Sequence, residues 1–236
     1  MELDSIERVE ARFKQRYRLK KLVNLFISVV IALSGVLSVA YIWYYDGDGW
    51  LTFRWMTVDG TIFTTAIAFF FIAVNLYELA RDTELTSDLV YYMRLSSSVA
   101  EGMILTVVLL SQLPFSPQHM HIARFDMFQM HVLIPALSIL SFLFNDFPIG
   151  RLTTWRRFHG TWFVTLYAAV IITLILTGVI PDREIPYFFL DVAHMPALAF
   201  IGCFVFIYAL GYLLSLCLSG GNRKLSWLWF RNVAEK

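Results

Sequence analysis

FDMFQMHVLIPALSILSFLF, Phe125 to Phe144, decides the fold. At a rise of ~1.5 Å per residue, a helix of this length crosses a hydrocarbon core of about 30 Å. The stretch is nearly all apolar, yet it carries His131 about two turns from its start. Four residues later Pro135 removes a backbone N–H and frees the carbonyl one turn back. An ionisable side chain inside lipid is costly, so His131 is a functional-site candidate. The competing role is a structural hydrogen bond between helices.

Composition extends this reading to the whole chain. Of 236 residues, 58% are hydrophobic, well above the roughly 45–50% of a soluble domain. Mean hydropathy is +0.63 and only 16% of residues are charged. The fold class expected is an all-α, polytopic membrane bundle without a separate soluble domain. Cys203 and Cys217 fall in one apolar span, about 21 Å apart along a helix and too far for a bridge to each other. Nothing indicates a nucleic-acid partner.

Six spans are expected. Residues 1–21 carry charges of both signs and read as an amphipathic cytoplasmic arm rather than a signal peptide. Residues 22–219 hold the transmembrane domain and 220–236 a cytoplasmic tail. Span 1 covers about Leu22–Tyr45, ending in an aromatic belt. Span 2 runs from Leu51 or Thr57 to Leu79, and span 3 from Leu89 to Leu113, stopping at Pro114. Span 4 is the opening stretch. Span 5 covers Phe158–Ile180, and span 6 Ala193–Leu218, ended by Ser219-Gly-Gly221.

Lys and Arg crowd the N-terminal arm, the 4–5 loop (Arg151, Arg156, Arg157) and the tail. The 1–2, 3–4 and 5–6 loops hold only Arg54, Arg124 and Arg183. The positive-inside rule therefore places both termini in the cytoplasm of a multi-pass cell-membrane protein. No internal repeat of the transporter kind is visible.

Polar groups inside the spans form the next pattern. Thr57, Thr61 and Thr64 fall at i, i+4 and i+7, one helix face. That is common in helix–helix packing in membranes. Asp59 is interfacial or faces a cavity. Glu101, near mid-membrane, must be paired or protonated. Glu78 and Arg94 lie towards the cytoplasmic side and are expected to pair. Thr57 and His131 enter from the same side to similar depth, about 10 Å below the outer surface. Asp191 and His194 stand at the outer mouth of span 6.

The elements Phe53-x-Trp-Met-Thr57, His131-x-x-x-Pro135, Gly150-Arg151-Leu152 and Pro186-Tyr-Phe-Phe-Leu-Asp191-Val resemble bacterial six-pass proteins related to the androgen-induced membrane hydrolases. That resemblance spans about Phe53 to Val192. It implies a threonine nucleophile at Thr57 and a histidine at His131, acting on fatty acyl esters such as those of hydroxy fatty acids. Where bacterial relatives often carry Ser-Asn and Asp-Trp, this chain has Gly60-Thr61 and Ser141-Phe142.

Three functions are therefore expected in competition. The first is a membrane-embedded hydrolase of lipid acyl esters, needing no cofactor and no metal. In it Thr57 attacks and His131 moves the proton. Asp59, Glu101 or Asp191 orients the imidazole, and Thr61 or a backbone N–H near Gly60 meets the oxyanion. The second is haem ligation by His131 and His194, with a metal variant drawing on His119, His121, Asp126 and His131. The third is a non-enzymatic lipid binder or assembly factor, in which the threonines and the histidine are packing contacts.

Overall fold

The computed structural model describes residues 2–45, 47–83, 85, 87–115, 123–148, 152–192 and 194–234. Gly150 and Arg151 of the short motif, His119 and His121, and the expected span-6 start at Ala193 lie outside the described residues.

Among the described residues the chain is all helix, with no strand. Six helices are long and apolar enough to cross a membrane. They are α1 (Glu2–Tyr45), α2 (Met56–Arg81), α3 (Asp88–Val107), α4 (Phe125–Asn145), α5 (Trp162–Leu176, which reaches membrane length with the turn that starts at Trp155) and α6 (Ala197–Ala234). A π turn, Val108–Gln112, prolongs α3, and a 3-10 turn, Trp155–Thr161, leads into α5. A second π turn, Gln129–Leu133, lies inside α4. Its N–H bonds skip one residue further than in an α-helix, and Pro135, which has no N–H to give, comes two residues after its end.

α1 runs unbroken through Lys21 and Leu22, so the charged arm and span 1 form one helix; nothing there breaks a helix. One expected boundary moves. The last helix does not stop at Ser219-Gly-Gly221 but continues to Ala234. Each Gly costs about 1 kcal/mol in a helix interior. Tertiary bonds offset that cost: Asn222 Nδ2 donates to the carbonyls of Phe142 (2.8 Å) and Asp146 (2.7 Å). The start of α1 and the end of α6 consequently share one end of the bundle, the terminal end. There Phe13 of α1 packs on Trp229 and Phe230 of α6. The opposite, distal end carries the α1–α2 and α5–α6 connections.

α3 is the central helix. Arg94 through Glu101 are all fully buried, so every face of these two turns meets protein. Ser96, Ser97 and Ser98 make this possible, since small residues let helix backbones approach closely. Each serine bonds a different neighbour. Ser96 Oγ accepts from Phe163 N of α5 (3.1 Å). Ser97 Oγ donates to Thr64 Oγ1 of α2 (3.0 Å). Ser98 Oγ meets the Ser138 hydroxyl (3.2 Å) and carbonyl (3.1 Å) of α4.

One turn nearer the terminal end, Arg94 joins three helices. Its Nε donates to Asp146 (3.2 Å) and its Nη2 to Asn24 Oδ1 of α1 (3.2 Å), and the guanidinium also bonds Ser141 of α4. The expected Glu78–Arg94 pair is not formed. Glu78 instead takes Lys21 of α1 (2.7 Å), because Arg94 faces α1 and α4 and finds its carboxylate just past the end of α4.

Removing one partner of a buried pair leaves a charge without compensation, which costs about 3–5 kcal/mol. Arg94→Met is expected to lose that much and to lower the thermal midpoint in detergent steeply. Arg156→Gln, which breaks an exposed 3.6 Å pair with Asp88, should lie within about 1 kcal/mol of the parent. Unfolding both variants side by side checks the difference.

Candidate functional site

The serine bonds of α3 set the register of the two helices that carry Thr57 and His131. Ser97 and Ser98 are neighbours, fixed to Thr64 and Ser138 respectively. Thr57 lies seven residues distal of Thr64 on α2, and His131 seven residues distal of Ser138 on α4. Both therefore stand about 10 Å distal of the serine pair, at a common level. No hydrogen bond joins the two side chains.

His131 is 7% exposed. Its Nδ1 lies 3.0 Å from the carbonyl oxygen of Met127. A carbonyl only accepts, so Nδ1 carries the hydrogen and Nε2 keeps its lone pair. The ring is thus oriented by backbone within its own helix. None of Asp59, Glu101 and Asp191 bonds it. Asp126, earlier on the same helix, is fully buried and held by Arg124 through two bonds of 2.7 Å.

Thr57 opens α2 on the wall of a cavity of about 600 Å³. This cavity lies between α2, α3, α5 and α6, beneath the α5–α6 connection. Met103, Ile104, Val108, Val164, Leu190 and Phe206 supply much of an apolar lining. Its volume lies within the range of small-ligand sites, roughly 300–1,000 Å³. Close approach of α2 to α3 forms one side: a Cβ on Gly60 would come 2.8 Å from Ile104 Cδ1.

Three tyrosines, Tyr167, Tyr187 and Tyr208, line the same cavity. The Tyr167 phenol donates to the Arg54 carbonyl (2.6 Å), tying α5 to the start of α2. The Tyr187 phenol faces the Thr57 side chain and the Met56 backbone. Burial pushes its pKa up to about 12, so it stays a hydrogen-bond donor at any physiological pH. Tyr187 is held by stacking on Phe189 (5.1 Å, 8° between planes) and by an edge contact with Trp55 (5.7 Å). The residue type of Tyr187 signals no role; its only sequence signal is membership of the Pro186-to-Asp191 element.

The other candidate residues divide into two groups. Asp59 is half-buried in the first turn of α2. Glu101 and Thr61 are fully buried, and neither the carboxylate oxygens nor Thr61 Oγ1 has a hydrogen-bond partner of ordinary geometry. Both sit one turn distal of the Ser97–Thr64 bond on antiparallel helices. Asp191 belongs to the distal surface, where it accepts from the His194 backbone (3.2 Å) and lies 2.9 Å from its Nδ1. Among the described residues no group of three or more His, Cys, Asp or Glu gathers with the geometry of a metal site.

The distal arginines are all engaged. Arg54 bonds Asp48 (3.1 Å) and Glu184 (3.3 Å), Arg124 bonds Asp126, and Arg183 approaches Glu184 at 3.8 Å. Arg54 thereby clasps the α1–α2 connection to the α5–α6 connection over the cavity.

The Asp191 carboxylate, by hydrogen bond and charge, raises the pKa of the exposed His194 imidazole above its usual 6.5. A raised folded-state value means the pair is complete below the usual imidazole value and is lost as pH climbs through the raised one. An NMR titration of His194 should show an elevated midpoint that falls back in Asp191→Asn. No known protein family, curated protein or solved structure matches this chain.

Proposed function

We propose that the protein is an integral-membrane hydrolase of lipid acyl esters, related to the androgen-induced membrane hydrolases, with Thr57 as nucleophile and His131 as base. The observation that carries this reading is the Thr57 hydroxyl on the wall of an apolar, acyl-sized cavity, with a phenol donor facing it.

In the first step Thr57 Oγ1 attacks the ester carbonyl and His131 Nε2 takes its proton. The tautomer that Met127 imposes leaves Nε2 free for this. His131 then protonates the leaving alcohol, and an acyl–threonine ester remains. Water, deprotonated by the same Nε2, then attacks the acyl–threonine carbonyl; the bond to Oγ1 breaks, the imidazolium returns its proton to Thr57 Oγ1, and the fatty acid leaves. The reading requires Nε2 to reach Thr57 Oγ1 in the substrate complex, directly or through one water. Tyr187 donates to the oxygen that becomes negative, the role of an oxyanion-hole donor. The Lys and Arg excess at the terminal end supports cytoplasmic termini in a cell-membrane protein. The active site then lies beneath the extracytoplasmic leaflet.

A fluorophosphonate that labels activated hydroxyls provides the test. An adduct on Thr57 is expected, absent in Thr57→Ala and formed about 100-fold more slowly in His131→Ala. Wild-type labelling rates in either variant, or an adduct mapped elsewhere, would remove the mechanism. A protein that binds acyl esters without labelling or turnover would instead be a lipid carrier using the same cavity.

Tyr187→Phe keeps the ring and its stacking and removes only the hydroxyl. Loss of one oxyanion donor typically costs about 10²–10³ in kcat. A fall of that order with KM little changed is expected. Equal turnover by the two proteins would return Tyr187 to a packing role.

A further inference from the structure

A second concavity opens at the terminal end, remote from Thr57, where α6 passes α3 and the turn before α5. Its volume is about 390 Å³, again in the range of small-ligand sites, roughly 300–1,000 Å³. Three cations, Arg157, Arg223 and Lys224, line it, and Leu152, Pro148 and Trp227 give it an apolar rim.

Sequence spacing explains the convergence. Ser219, Gly220, Arg223, Lys224 and Trp227 lie at i, i+1, i+4, i+5 and i+8 on one face of α6. Arg157 is brought to this face because its own carbonyl accepts from Ser215 Oγ of α6 (2.6 Å). Among the described residues no carboxylate pairs with any of the three. The nearby acids are occupied elsewhere: Asp146 by Arg94 and Asp88 by Arg156. Arg157 Nε is buried and has no hydrogen-bond partner.

The paired glycines add an independent observation. A Cβ on Gly221 would lie 3.1 Å from Leu143 Cδ2, so this glycine serves helix packing. A Cβ on Gly220 would meet nothing within 4 Å. Packing therefore gives no reason for glycine at 220, whereas a larger side chain there would occupy the cleft.

We infer that this cleft binds an anionic phosphate group, of the kind a phospholipid headgroup presents at the membrane surface. Guanidinium forks match phosphate oxygens two at a time, and Lys224 adds a mobile point charge. Basic pockets between transmembrane helices at this level suit anionic headgroups, and Trp227 sits where interfacial aromatics concentrate. The inference does not depend on the hydrolase reading, since no residue is shared between the two sites.

The test uses the full chain in neutral detergent, titrated with phosphatidylglycerol, phosphatidylcholine or inorganic phosphate. Thermal unfolding and native mass spectrometry give the readouts. Phosphatidylglycerol is expected to raise the midpoint and to remain bound. Arg223→Gln and Lys224→Gln should each weaken it about five-fold. Gly220→Phe, which alters no charge, should also weaken it by filling the cleft. Inorganic phosphate giving the same shift, lost in the same variants, would support the phosphate site and assign it to a free ligand. Equal stabilisation by phosphatidylcholine, or phosphatidylglycerol binding unchanged in all three variants, would overturn the inference.

Discussion

A single guanidinium holds the terminal half of this bundle together. Arg94 is fully buried, yet it bonds Asp146, Asn24 and Ser141. Asn24 extends the contact to Asn75 of α2 (3.5 Å), and Asn75 donates to Phe71 O (2.7 Å). The face of Phe71 lies 4.7 Å from the guanidinium carbon. In lipid, apolar contact alone gives little preference for one helix neighbour over another, because the tails are as apolar as leucine. Buried polar bonds supply that preference here. They place α1, α2 and α4 around α3, and the three serines carry the same register towards the distal end.

The fold was legible because its determinants are local and long. Six apolar stretches of membrane length announce six helices whatever their packing. Boundaries were less legible where tertiary bonds override local signals. Gly220 and Gly221 look like a stop, but Asn222 binds the end of α4 and keeps the helix going. The partner of Arg94 was missed for a similar reason. Asp146 follows the last residue of α4 and reads as loop, although the fold buries it.

The site was legible only in part. Depth along a helix follows from counting residues, and the register places Thr57 and His131 at one level. Azimuth does not follow from counting. Which face of α4 carries His131 depends on the π turn at Gln129–Leu133, which rotates everything before it relative to an ideal helix. Tyr187 was hidden more thoroughly. It comes from a connection of short turns, and its position over Thr57 depends on Ile180 and Leu190 being buried against α5. No periodicity predicts such an excursion.

α6 is anchored unevenly. Only 6% of its apolar window is buried, against 67% for α3. Among the described residues, its side-chain hydrogen bonds to the rest of the bundle come from Tyr212, Ser215, Asn222 and Ser226, and none from the first fifteen residues of the helix. The distal half leans against the cavity through Ala199, Gly202 and Phe206. A helix pinned at one end behaves as a hinged door. Its free end can swing into the lipid at a cost far below that of opening the α3 core, because few bonds break. Under the hydrolase reading proposed above, that motion opens a lateral path from the leaflet to the cavity, along which an acyl tail never crosses water.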